Sequence, residues 1–195
     1  MNWLEIVGTI IGIIYLYLEY RASVWLWVAS IAMPAIYLFV YYDAGLYADF
    51  GISIYYLIAS VYGLCCWLKK HEASGNENPD DTKIIHTPPH TYVRLLAAAI
   101  TLFIVIGYIL REFTDSTVPW ADGFTTALSI VAMWMLAKKY VEQWLVWIVA
   151  DIACSALYAY KELWFTSVLY AAYAVIAVLG YRKWKKLMTN NIQQT

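Results

Sequence analysis

Apolar residues run along this chain in long unbroken blocks, separated by short polar stretches, and seven of the blocks are long enough to cross a bilayer. They cover Trp3 to Leu18, Val24 to Tyr42, Leu46 to Leu68, Tyr92 to Leu110, Trp120 to Ala137, Trp144 to Tyr160 and Leu163 to Tyr181. A segment surrounded by lipid can satisfy its backbone only through its own helical bonds, so the pattern predicts seven transmembrane helices. A transmembrane barrel would show short alternating segments instead, and these blocks do not alternate.

Charge orients the spans. With seven crossings, Arg21, Lys69, Lys70, Lys83, Arg94, Lys138, Lys139, Arg182, Lys183, Lys185 and Lys186 fall on one side, which is 11 of the 13 Lys+Arg, and only Arg111 and Lys161 on the other. The positive-inside rule then predicts an outside N-terminus and a cytoplasmic C-terminus. The first span lacks a basic lead and a cleavage pattern, so it is read as a span and not as a signal peptide. Between the third and fourth spans, His71 to Thr91 is rich in Asn, Asp, Pro and His and is read as a solvated cytoplasmic linker. No Cys or carboxylate pattern frames its three histidines, so no metal is expected. The three cysteines lie inside spans, which argues against disulfides.

Composition agrees with this reading and closes off others. Hydrophobic residues make up 63% and charged residues 14%, against roughly 25% charged in soluble domains. The formal net charge of −1 offers no basic field for nucleic acid.

The third span ends Gly63-Leu64-Cys65-Cys66-Trp67-Leu68-Lys69-Lys70 and the seventh ends Gly180-Tyr181-Arg182-Lys183-Trp184-Lys185-Lys186. At the same offset Leu46 falls on Leu163 and Tyr56 on Tyr173, and the second and sixth spans open alike, Trp25-Leu26-Trp27 beside Trp144-Leu145-Val146-Trp147. The expected plan is a 3+1+3 parallel repeat: residues 1–70 as one three-helix unit, 71–91 as linker, 92–111 as a connecting helix, 120–186 as the second unit and 187–195 as a cytoplasmic tail. Parallel repeats of this kind hold a substrate near the bilayer midplane.

Of the charges inside the blocks, Glu5, Asp49, Arg94 and Asp122 lie near block ends, whereas Asp151 is the eighth residue of its span. A charge near the bilayer centre costs about 2.5–3.5 kcal/mol and marks a functional position by default. Trp144, Trp147, Asp151 and Tyr158 share one helical stripe, flanked by Cys154 and Ser155. Aromatic faces with one acid suit a flat heterocycle, cationic or carrying N–H donors. Two other readings stay open: Trp144 as part of the interfacial aromatic belt, and Asp151 as a protonated carboxyl bonded to another helix. Pro34, mid-way in the second span, frees a backbone carbonyl at about the depth of Ser155. One deep aspartate is too few for an aspartyl protease, no deep His pair exists for a metalloprotease, and no nucleotide-binding motif appears. An enzyme and a proton relay are therefore not expected.

At these residues the chain resembles the PnuC/PnuT family of bacterial vitamin transporters. The resemblance is strongest over Leu128-Ser129-Ile130-Val131-Ala132-Met133, Lys139-Tyr140-Val141-Glu142 and the Trp144-x-x-Trp147-x-x-x-Asp151 motif, with Leu46-Tyr47-Ala48 and Tyr62-Gly63 followed by Trp67 in the first half. It implies an all-α, seven-span bundle similar in plan to the SWEET sugar transporters and facilitated diffusion of an unphosphorylated vitamin, which a cytoplasmic kinase then traps. It implies no cofactor, and it leaves a homo-oligomer open. By the resemblance Trp144, Trp147 and Asp151 bind the substrate. The nicotinamide riboside branch has Asn in place of Asp151, and Gln and Asn in place of Ser53 and Ser60. The expectation is therefore thiamine, with nicotinamide riboside as the alternative. A substrate-binding subunit of an energised vitamin importer is the other reading kept.

Overall fold

The computed structural model describes residues 3–43, 47–74, 83–114 and 116–193. Seven helices account for nearly all of them: α1 (Trp3–Tyr20), α2 (Trp25–Asp43), α3 (Tyr47–Ser74), α4 (Pro89–Phe113), α5 (Pro119–Ala137), α6 (Gln143–Tyr160) and α7 (Trp164–Gln193). Among the described residues there is no strand, only one isolated bridge between Ile85 and Tyr140. Among the described residues four helices, α4 to α7, are long and apolar enough to cross a membrane. In α1 and α2 the apolar stretches of described residues are shorter, Ile11–Tyr20 and Trp25–Phe39.

The helices overrun the hydropathy blocks where polar residues continue them. α3 carries on through Lys69 and Lys70 to Ser74, α7 runs past Tyr181 to Gln193, and α4 starts at Pro89, whose fixed φ suits a first helical turn. Residues 75–82 of the expected linker, and the side chains of Glu5 and Asp49, lie outside the described residues.

The chain divides into two compact units, one ending at Lys83 and one beginning at Ile84. In the first, α2 packs against both α1 and α3; in the second, α4 packs on α5, α5 on α6 and α6 on α7. On α4 only Thr91 and Gly107 are buried, and a Cβ added at Gly123 of α5 would stand 2.9 Å from the Gly107 nitrogen, so these two helices meet backbone to backbone.

The two units contain the same turn, 117 positions apart in the sequence. In the first, the Ser23 N–H donates to Leu18 O at 3.0 Å and the Ala22 N–H to Glu19 O at 2.9 Å, with Ala22 left-handed at φ 56°. In the second, the Tyr140 N–H donates to Met135 O at 3.1 Å and the Lys139 N–H to Leu136 O at 2.9 Å, with Lys139 at φ 57°. Both are Schellman helix ends that use a non-glycine residue where glycine is usual, and each such residue costs on the order of 1–2 kcal/mol.

Each unit also contains the same aromatic lock. Trp27 of α2 is fully buried and meets Trp67 of α3 edge-on, centroids 5.7 Å apart at 85°. Trp144 of α6 meets Trp184 of α7 at 5.7 Å and 86°. A glycine makes room for each ring: a Cβ at Gly63 would overlap Trp27, and one at Gly180 would stand 2.7 Å from Trp144. The side-chain partners therefore correct the expected pairing of the two span openings. Trp27, not Trp25, corresponds to Trp144, because only Trp27 turns into the helix interface while Trp25 is exposed. At this register Pro34 corresponds to Asp151 and not to Ser155.

Candidate functional site

Asp151 lies in the middle of α6 beside fully buried Ala150 and is itself only 7% exposed. Among the described residues no hydrogen bond or ion pair engages its carboxylate, and its electrostatic neighbours are Cys154 on the same helix and Tyr173 on α7. A buried carboxylate without a donor is a costly arrangement unless a bound proton or a ligand satisfies it. One turn before it, Trp147 is partly buried, and its indole N–H is enclosed with no acceptor among the described residues.

Trp144 sits on the same helical stripe, but its ring is spent on the lock with Gly180 and Trp184, and it is 1% exposed. Ser155 is also engaged. Its hydroxyl donates to Ser167 O at 2.9 Å while the Ser167 hydroxyl donates to Ser155 O at 2.8 Å, a reciprocal pair that ties α6 to α7. Tyr158 stacks on Tyr170 of α7, centroids 5.2 Å apart at 18°, and Tyr170 meets Tyr173 at 5.6 Å and 70°. An aromatic wall of three tyrosines thus runs along the α6–α7 pair from Tyr158 to the neighbourhood of Asp151.

In the first unit, Ser60 is fully buried on α3 and its hydroxyl is shared between Tyr56 O at 2.7 Å and Ser30 O at 3.2 Å. Ser30 is the residue four before Pro34, so its carbonyl is the one that proline deprives of a helical donor, and Ser60 supplies a replacement from the neighbouring helix. Ser53 is buried on the same helix.

The α5–α6 turn carries contacts that the sequence reading missed. Ile85 pairs with it through Ile85 N–H to Lys139 O and Val141 N–H to Ile85 O, both 3.1 Å. Glu142 then receives the Thr87 N–H and the Thr87 hydroxyl, each at 2.8 Å, and lies 2.6 Å from His86 Nδ1. Burial opposes ionisation of Glu142, but these hydrogen bonds outweigh it and hold the carboxyl below its ordinary range. The end of the expected solvated linker is therefore docked: Ile84 and Thr87 are buried. Among the described residues no group of His, Cys, Asp and Glu is placed to hold a metal.

A family model described as nicotinamide mononucleotide transporter matches residues 2–186. The chain belongs to that family. Among its relatives are the nicotinamide riboside transporter PnuC of Escherichia coli, 24% identical over 94% of this chain and 85% of that protein, and PnuC of Neisseria mucosa, 26% identical over 99% and 76%. The riboflavin/roseoflavin transporter RibM of Streptomyces davaonensis is 25% identical over 93% of this chain and 84% of its own length. A crystal structure of the vitamin B3 transporter PnuC shares the fold, with TM-score 0.72 over 97% of this chain and 83% of that one at 24% identity. As a member of the PnuC family the chain is a multi-pass membrane vitamin transporter, not an enzyme. The expectation of thiamine finds no support in these relatives, whose names carry nicotinamide riboside, riboflavin and vitamin B3.

Proposed function

We propose that this transporter admits an unphosphorylated vitamin by facilitated diffusion, and that nicotinamide riboside is its substrate. Asp151 carries the reading: a buried carboxylate with no donor among the described residues, in mid-helix, next to the half-buried Trp147 ring. Nicotinamide riboside has a flat pyridinium ring and a carboxamide N–H, which match a carboxylate beside aromatic faces. Nicotinamide riboside relatives and the riboflavin relative also support a flat-ring vitamin. Thiamine, with its amino group and cationic ring, meets the same chemistry and belongs in the same assay.

In this reading all seven helices cross a bacterial inner membrane in a 3+1+3 parallel repeat, N-terminus outside and C-terminus cytoplasmic, as the segregation of 11 of 13 basic residues favours. Trp147, Asp151 and Tyr158 contact the vitamin, while Trp144 and Ser155 hold α6, which presents them, against α7, and Ser60 ties α3 to α2 within the first unit. Ser53, buried on α3, is the remaining binding candidate of the first unit. A cytoplasmic kinase drives net uptake by trapping, since no nucleotide-binding motif is present. The test is counterflow of labelled nicotinamide riboside, riboflavin and thiamine in proteoliposomes holding the purified chain alone. Accumulation of nicotinamide riboside is expected. Tight binding without accumulation would instead make the chain a subunit of an energised importer.

A further inference from the structure

Where α6 meets α7, the second unit carries a charged cluster that the binding reading leaves unused. The ammonium of Lys161, the residue closing α6, lies 2.9 Å from Oδ1 and 3.2 Å from Oδ2 of Asp122 in the first turn of α5. Ser116 donates its hydroxyl to Asp122 Oδ2 at 2.7 Å. Both ionic side chains are largely covered, 26% and 27% exposed. The backbone beneath the lysine is fixed as well. The Lys161 N–H donates to Leu157 O, Glu162 is left-handed at φ 60°, and the Leu163 N–H returns to Tyr158 O at 2.9 Å.

This ion pair joins the first turn of α5 to the end of α6, while α6 and α7 are held to each other by the Trp144 lock and the reciprocal Ser155–Ser167 bonds. Its distinct contact is with Tyr158. The Lys161 ammonium sits 6.0 Å from that ring's centroid, while the ring is stacked on Tyr170, which in turn touches Tyr173 beside Asp151. A cation near an aromatic face favours one ring orientation, and Asp122 decides where the cation stands.

We infer that Lys161, aimed by Asp122, is a positioning residue for the substrate. It sets the plane of the Tyr158–Tyr170 pair and so the aromatic wall that leads to Asp151. This rests on the uptake reading above. The test compares Lys161→Met, which keeps the stem and removes the charge, with Lys161→Arg, which keeps the charge. Two readouts are taken: the KM and maximal rate of nicotinamide riboside counterflow, and the tyrosine region of the near-ultraviolet circular dichroism spectrum. For Lys161→Met the expected result is a KM raised about fivefold, the scale of a partly desolvated cation–π contact, with the maximal rate nearly unchanged and the tyrosine band altered. Lys161→Arg should restore both. An unchanged KM with an unchanged band, or a fall in maximal rate alone, would overturn the inference. If the wild type accumulates no vitamin, the uptake reading fails by itself, and the tyrosine band still decides: an altered band in Lys161→Met supports the positioning role and an unaltered one refutes it.

Discussion

Helices α2 and α6 begin on the same scaffold and then diverge. Each follows a Schellman turn with a non-glycine residue at positive φ, and each sends a tryptophan into a glycine notch and onto a second tryptophan, at nearly identical centroid distance and angle. Two turns further on they part. In α2 the position holds Pro34, and the carbonyl it frees is answered by Ser60 of α3. In α6 it holds Asp151, and the residue corresponding to Ser60 is Ala177, with no hydroxyl to offer. The first helix closes its polar debt inside the protein, and the second leaves a carboxylate open. In the uptake reading, parts that recur in both units are scaffold, and the part that differs carries the chemistry.

That division can be broken by treating the two locks as equivalents. Trp144→Ala and Trp27→Ala should each cost about 3–5 kcal/mol, as expected for a fully buried tryptophan, and lower the melting temperature alike. Trp147→Ala should instead leave melting nearly unchanged and weaken vitamin binding about tenfold, which a titration of the purified protein measures. If Trp144→Ala melts like the wild type and loses binding, Trp144 belongs to the substrate face after all.

The second site of divergence predicts a smaller effect. Ser60→Ala should cost about 1–2 kcal/mol in thermal unfolding, because the Ser30 carbonyl then loses its replacement donor. The double variant Ser60→Ala with Pro34→Ala should recover most of that loss, since the ordinary helical bond returns. A double variant no more stable than Ser60→Ala would separate the two residues.

The smallest effect sharpens a difference between the turns. Glu142 straps the residues before α4 to the α5–α6 turn, and its pKa is depressed in the folded protein. A depressed carboxyl contributes stability in full above its unfolded pKa and loses it as pH falls through the folded value. Melting temperature should therefore hold from neutrality to about pH 5 and then fall, and Glu142→Gln should sit about 2–4 °C lower at neutrality and lack that component of the acid fall. Parallel curves for the two proteins would remove Glu142 from the account.

Much of this was legible in the sequence, for identifiable reasons. Hydropathy alone placed every helix, and its ends to within a few residues except the C-terminal ends of α3 and α7, because a lipid-length apolar block has few other solutions. Asp151 announced itself as a charge inside such a block. The ends of α3 and α7 were not legible, since polar residues extend a helix without leaving a hydropathy signal. The left-handed residues Ala22, Lys139 and Glu162 carry no glycine to mark them. Trp25 and Trp27 look alike on paper, and only packing shows which one enters the lock. The Glu142 strap joins residues 55 apart in the chain, and no local pattern foretells it.

The central claim is that Asp151 of α6 receives the substrate and its counterpart in α2, Pro34, does not. Counterflow of labelled nicotinamide riboside into proteoliposomes, with Asp151→Ala and Pro34→Ala compared against the wild type at equal reconstituted protein, tests it directly. The account predicts accumulation in the wild type, near-normal accumulation in Pro34→Ala, and a loss of at least about tenfold in Asp151→Ala, the scale of one charge-assisted contact. Undiminished accumulation in Asp151→Ala would contradict it.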